Sequence, residues 1–499
     1  MFLDSRLRGN DNNDGAFEGM TSLVNFQKDR FLCVMIQLFY ERTKIFILLS
    51  FLLAVVLLTC IGSSSSWASS SFPNESPPAA SKNKTTTPDP WYKDIDDQWG
   101  GHAKVRGSVL WPDGESYFQP VGTDPCYDGS SEMRLKNKLF FGNRGIFETH
   151  YEAVFSGGDT RRKEKELERL YPGLSSAGLV AGGPPSDKRR LMDLTKTIDE
   201  NDNQILYHRL DRLSLTLMPE WGVVRIGRQA VTWGNGFLFN PIDLFNPFSP
   251  SDIEREYKIG DDMIYTQFPV NKVGDFQFLY VPRRELTSGD VKWDQSSLAG
   301  KLHFARGSTE FDVMAAMHYR DTVVGLGSTG YLGNTAWRLD CTWTFLDEDH
   351  GAGDYLSVVA NIDYSWAWWK KNFYGYLEYY FNGLCHDRYA EAWTDPDIAG
   401  RIGRGELFTL GRNYLSGHIR MELHPLFNVY LTAISNLGDL SGLLQPRAAW
   451  DMTQNTQITL TGNIYYGGRD TEYGGYKISG VSFLNKPSDS AYLCLTYYF

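Results

Sequence analysis

One long apolar run, Ile45 to Ile61, is all that this chain of 499 residues offers, and its mean hydropathy is -0.35. A bundle of membrane helices, each needing ~20 mainly apolar residues, is excluded. Six cysteines are scattered without a CxxC and without metal-ligand spacing, so neither a metal nor a cofactor is expected. Lys and Arg number 49 against 60 Asp and Glu, and a net charge of -11 argues against a nucleic-acid partner. No G-x-S-x-G marks a hydrolase. The glycines from Gly325 to Gly330 fit G-x-G-x-x-G, but no βαβ unit surrounds them. Catalysis is not expected.

What is abundant is the aromatic residue, 14% of the chain, and a strict alternation of apolar with polar side chains. Val358, Ala360, Ile362, Tyr364 and Trp366 alternate with Val359, Asn361, Asp363 and Ser365. Leu415, Gly417, Ile419, Met421 and Leu423 alternate with Ser416, His418, Arg420 and Glu422. Successive side chains of a strand point to opposite faces, so each such segment is a strand with one apolar face. Short turns at Gly142–Gly145, Pro219-Glu220, Arg306–Ser308, His424-Pro425 and Gln454-Asn455 alternate with long loops near 112–131, 157–204, 231–261, 284–295, 383–404 and 468–489. Seventeen strands are plain. A weak strand at 322–329, turned by Gly330–Gly333, restores both an even number and the alternation of connections. About 18 strands are predicted, with 16 as the alternative. The helix-like, highly charged run Arg161–Arg169 reads as a solvated stretch of external loop. Cys126 and Cys385 fall in two of the long loops, where a disulfide and two free thiols are both open.

The chain ends on S-A-Y-L-C-L-T-Y-Y-F. Leu493, Leu495, Tyr497 and Phe499 share one face, and Cys494, Thr496 and Tyr498 the other. This strand resembles the closing strand of bacterial outer-membrane β-barrels. The resemblance implies that Tyr497 and the terminal Phe499 form a signal for the barrel-assembly machinery. A second resemblance lies in Gly227-Arg228-Gln229, Trp233-Gly234-Asn235-Gly236, Asn240-Pro241-Ile242-Asp243 and Asn246-Pro247. It is similar to a motif of porin-like outer-membrane proteins, among them alginate-export porins and related uncharacterised barrels. Leu410–Tyr414 and Asn436–Asp439 follow the same pattern.

The fold expected is all-β: a transmembrane antiparallel barrel with long external loops and short periplasmic turns, placed in the bacterial outer membrane. Residues 1–68 read as an N-terminal extension and signal peptide, with Arg42 and Lys44 before the apolar run and Ser66–Ala68 at a cleavage site. The true start is then Met20 or Met35 if the first residues are not translated. Residues 69–100 are rich in Ser, Pro, Thr and Lys and read as a periplasmic linker, leaving 101–499 for the barrel. Trp366, Trp368 and Trp369 fit an interfacial aromatic girdle.

Alternation places Arg106, Arg134, Lys136, Lys138, Glu148, Glu152, Arg225, Gln229, Lys301, Arg320, Arg338, Asp340, Asp363, Glu378, Arg420 and Glu422 in the lumen. Their mixed signs fit both cross-strand ladders and a selectivity lining. His150, His303, His318 and His418 share that face. The loop after Gln229 carries Trp233, Asn235, Phe237, Phe239, Asp243 and Phe245, too apolar to stand in water. It either folds inward as a constriction or packs over the rim. The function expected is an outer-membrane channel for small hydrophilic solutes, with anions slightly favoured over cations. Export of a polysaccharide is the alternative, ahead of a barrel enzyme or an assembly factor. Partners would be membrane lipid, the assembly machinery, the solute and, as in many porins, further copies of the chain.

Overall fold

In the computed structural model the described residues are 95–172, 184–250, 257–270, 274–347, 353–386, 388–478 and 482–499, all within one compact unit that runs from Ser81 to Phe499. The predicted signal peptide, and the predicted linker up to residue 94, lie outside them. The strands are β1 (Ile95–Trp111), β2 (Cys126–Phe141), β3 (Gly145–Gly158), β4 (Thr195–Glu200), β5 (Gln204–Leu217), β6 (Val223–Gln229) and β7 (Asp261–Val270). There follow β8 (Gly274–Val281), β9 (Ser297–Arg306), β10 (Thr309–His318), β11 (Asp321–Leu332), β12 (Thr335–Phe345), β13 (Tyr355–Trp368) and β14 (Lys371–Asn382). The last are β15 (Asn413–His424), β16 (Phe427–Asn436), β17 (Gly442–Asp451), β18 (Thr456–Tyr466), β19 (Tyr476–Lys477), β20 (Leu484–Asn485) and β21 (Asp489–Tyr498). Three α-helices among the described residues join them: α1 (Asp159–Leu170), α2 (Tyr389–Ala392) and α3 (Pro396–Arg404).

Eighteen of these strands pair in antiparallel neighbours until β18 meets β21 and β21 meets β1, which closes the sheet. Closure leaves no edge, and in lipid every backbone group must find its partner within the protein. The weak strand predicted at 322–329 is β11, and it runs on to Leu332 before the turn at Gly333. Strand structure begins at Ile95, six residues before the predicted boundary at 101. β4 lies outside the closed ring. It extends the side of β5 that β6 leaves uncovered, pairing Thr195 with Arg209 and Glu200 with Ile205.

The outward faces carry the apolar stripe. Ile226, Leu326, Leu339, Ile362, Ile419 and Leu493 are all exposed, and in a membrane that surface meets lipid. Trp368 stacks on Trp369 at 4.0 Å and Trp366 on Phe373 at 5.4 Å, beside the two-residue turn Trp369-Lys370. Both turn residues have positive φ, 49° and 58°, the hairpin form whose twist matches the strands.

Long loops gather at the opposite end from the short turns. The helix-like charged run is α1, but it is not simply solvated, because one face of it is buried. Leu167 packs on Phe483, while the Lys163 ammonium donates to the carbonyls of Gly122 and Asp124 at 2.8 Å. Glu164 shares that face, and burial raises its carboxyl to a pKa of about 8. Charge alone did not distinguish a free helix from one whose long side chains reach neighbouring carbonyls. Cys126 and Cys385 are separate free thiols, held near the carbonyls of Asp124 and Thr409.

Candidate functional site

The polypeptide between β6 and β7 enters the barrel. Val231, Trp233, Leu244, Ile242 and Phe245 pack on the inner faces of Met263, Leu279, Val281, Ala299, Met314, Ala316 and Val323, from strands β7 to β11. Trp233 donates its indole N–H to Gln277 at 2.8 Å, and Lys301 stands 5.6 Å from its ring centroid. Strand β14, three strands beyond β11 around the wall, takes the next residues. Phe237 stacks on Tyr376 at 4.3 Å and Phe239 on Tyr380 at 4.4 Å. The returning segment reaches β2: the Arg134 guanidinium lies 3.6 Å from the Tyr257 ring centroid, and the Tyr257 hydroxyl donates to Glu132 at 2.5 Å. The loop therefore spans the lumen and touches strands on both sides of it.

Two wall carboxylates hold it there. Asp340 on β12 accepts the backbone N–H and the side-chain amide of Asn235, at 2.5 and 2.8 Å. Glu378 on β14 accepts the N–H groups of Phe237, Leu238 and Phe239 at 2.6, 2.9 and 3.0 Å. A loop that leaves the wall gives up its sheet partners, and buried N–H groups must find others. Glycine makes the turns possible. Gly234 has φ 88°, and a Cβ on Gly236 would sit 1.7 Å from the Phe239 carbonyl oxygen. Within the loop, Asp243 binds the Lys258 ammonium through both oxygens at 2.7 Å.

The residues assigned to the lumen by alternation fall in several settings. Arg134 and Glu152 form an ion pair at the centre of a buried cluster, with Arg134 also on Asp211 at 2.7 Å and Arg209 on Glu152. Glu148 and Lys138 face each other at 3.7 Å, Lys136 registers opposite His150, and Arg225 donates to Thr216 at 2.9 Å. Gln229 is buried and donates to the carbonyl of Met263. Arg338 pairs with Asp363 at 2.6 Å and lies over the Phe237 ring, linking wall to loop. Arg106 donates to Ser130, Arg420 lies over Tyr374, and Glu422 accepts from Asn372 at 3.4 Å. Arg320 is placed differently. It stands in the two-residue outer turn between β10 and β11 and reaches Asp294 at 2.9 Å, because β10 ends two residues before it. Asp340 and Glu378 have the loop backbone as their partners rather than open solvent.

Two residues central to the cluster, Asp211 and Arg212, escape strict alternation. A bulge between His150/Tyr151 on β3 and its partner places Asp211 and Arg212, adjacent in sequence, both on the inner side. Arg212 bonds to Asp211 at 2.5 Å and to the Lys258 carbonyl at 2.6 Å. An extra residue in one strand breaks the period of two, and only pairing shows where. Arg228 is buried on the other face, between Asp187 and Asp262 at 3.0 and 2.8 Å, under the strap that precedes β4.

No family model and no curated protein sequence matches the chain. Solved structures are similar at a distance. OccAB1 of Acinetobacter baumannii shares 8% identity at a TM-score of 0.45, over 82% of this chain and 97% of its own. A BenF-like porin from Pseudomonas fluorescens Pf-5 shares 10% at 0.45, over 81% and 98%. OccK2 (OpdF) of Pseudomonas aeruginosa, solved in complex with glucuronate, shares 9% at 0.45, over 81% and 98%. At such scores, the functional reading rests on the chain's own geometry.

Proposed function

We propose that the chain is an outer-membrane channel passing small hydrophilic solutes through a lumen narrowed by the loop after β6. The observation that carries this is the loop itself, fixed across the interior of a closed barrel by Asp340 and Glu378. An apolar outer surface and a charged inner wall suit a water-filled passage through lipid. The many paired charges of the wall, such as Arg134 with Glu152 and Arg338 with Asp363, leave polarity without a single dominant sign. Anion preference, suggested by the basic residues of β1 to β6, is accordingly a minor part of this reading.

The terminal strand supports the location. Gly101 and Phe499 exchange backbone hydrogen bonds at 2.8 and 3.1 Å, and the aromatic terminus stays exposed on the outer surface for the assembly machinery to read. Planar-bilayer recording with purified protein tests the function. Steady ohmic conductance that grows when residues 237–250 are deleted is expected. Silence from both the intact and the deleted chain would overturn the channel.

A further inference from the structure

The long loops at the outer end border a second space, a cavity of about 490 Å³, within the range of small-molecule sites. Ile434 and Leu443, at the outer ends of β16 and β17, line it from the barrel side. The rest of the lining comes from the stretch Trp393–Leu410, from the segment after β18, and from Tyr117 in the loop after β1. Six aromatic rings border it: Tyr117, Trp393, Phe408, Tyr465, Tyr473 and Tyr476. Among the described residues no other ring stacks on Trp393 or Phe408, and no guanidinium or ammonium lies over either. Phe408 is 41% exposed, so its ring is open to a ligand.

The charge of this lining is of one sign. Among the described residues that form it there is no Lys, Arg or His, and Glu472 is the single carboxylate. Glu472 is buried, and its three donors are all neutral: the Leu410 N–H, the Tyr414 hydroxyl and the Asn436 amide. Asp439 stands behind it and is held in the same way, by the Tyr389 hydroxyl and the N–H groups of Ser441 and Glu472. Other buried carboxylates of the barrel have a cation, Glu152 with Arg134, Asp243 with Lys258 and Glu406 with Arg404. A buried charge without a counter-ion is costly. Burial raises the Glu472 pKa only to about 6, so the group is ionised at neutral pH. Ring faces attract cations, and aromatic cages take quaternary ammonium groups. An anion would meet the carboxylate and the ring faces with nothing positive to hold it.

We propose that this vestibule binds an organic cation, a quaternary or substituted ammonium, with Glu472 as its counter-ion and the rings of Trp393 and Phe408 against its apolar groups. The inference rests on the channel reading only for the solute's onward route, so its test does not use current. Ligand-observed NMR saturation transfer would be run on the full chain in octyl glucoside, whose head group is uncharged, with protein-free micelles as the blank. The probes are choline and its carbon isostere dimethylbutanol, which share a shape and differ in charge. Glu472→Gln removes the charge and keeps an acceptor oxygen. Phe408→Leu keeps apolar bulk and removes a ring that lies outside any strand. The expected result is saturable choline binding, several-fold weaker binding of the isostere, and a several-fold loss of choline affinity in each variant. Absent choline binding, equal binding of the uncharged isostere, or wild-type affinity in either variant would overturn the site. None of these outcomes depends on whether the barrel conducts, which the bilayer recording decides separately.

Discussion

The Glu378 carboxylate accepts the N–H of Phe237 at 2.6 Å, joining residues 141 apart in the chain. Leu238 and Phe239 donate to the same group, so one wall side chain terminates three consecutive backbone donors in the middle of the barrel. Hydrogen bonds to a charged acceptor contribute ~1.5–3 kcal/mol each, and an orphaned buried donor costs about as much. Glu378→Ala is expected to free the loop while the sheet persists. Single-channel conductance should rise and the circular-dichroism strand signal should not change. A variant with wild-type conductance would show that Asp340 and the stacked rings hold the loop without Glu378.

The cluster around Asp211 carries a second prediction. Asp211 receives Arg134 at 2.7 Å, Arg212 at 2.5 Å and the Gly260 N–H at 3.1 Å, all away from solvent. Breaking a buried ion pair from one side costs ~3–5 kcal/mol, because a charge is left uncompensated. Asp211→Leu should therefore lower the unfolding temperature markedly in detergent. The double variant Asp211→Leu with Arg212→Leu should recover part of that loss. Additive losses in the double variant would show that the two side chains do not share one network.

Outside the membrane-spanning strands, Glu472 links two outer loops to the barrel rim. It accepts from the Leu410 N–H at 2.7 Å, the Tyr414 hydroxyl at 2.5 Å and the Asn436 amide at 2.8 Å. Burial raises its pKa from 4.5 to about 6, against the lowering effect of those donors. The folded form thus holds the proton more tightly than the unfolded one. The stabilising contribution is full below about pH 4.5, falls between there and about pH 6, and is flat above. Thermal unfolding of the wild type and Glu472→Gln at several pH values checks this. The balance should move in favour of the variant as pH rises through that window, and a constant difference would contradict it.

The terminal residue makes a prediction about assembly. A Cβ on Gly101 would lie 2.1 Å from the Arg134 carbonyl oxygen and 2.9 Å from the Phe499 ring. Gly101→Val and deletion of Phe499 should each reduce the amount of heat-modifiable barrel in outer-membrane fractions. Normal levels in both would remove the role given to the closing contact.

Alternation along the strands determined much of this protein. A period of two with one apolar face, short turns alternating with long loops and an even count were enough to reach 18 strands, including β11 with its glycines. Those signals are local, since a strand's face is set by its own side chains and a turn by its own backbone. The apolar content of the loop after Gln229 also showed that it needed cover. Which surface covers it was decided only in three dimensions, because the partners of Asn235 and Phe237 lie on strands more than a hundred residues away. The same holds for the pairing of Arg134 with Asp211, 77 residues apart, and for the inward turn of Arg212 at a bulge that a period of two cannot register. Sequence determined the wall; tertiary packing decided what stands inside it, because a carboxylate on a strand reads the same whether it faces water or three backbone N–H groups.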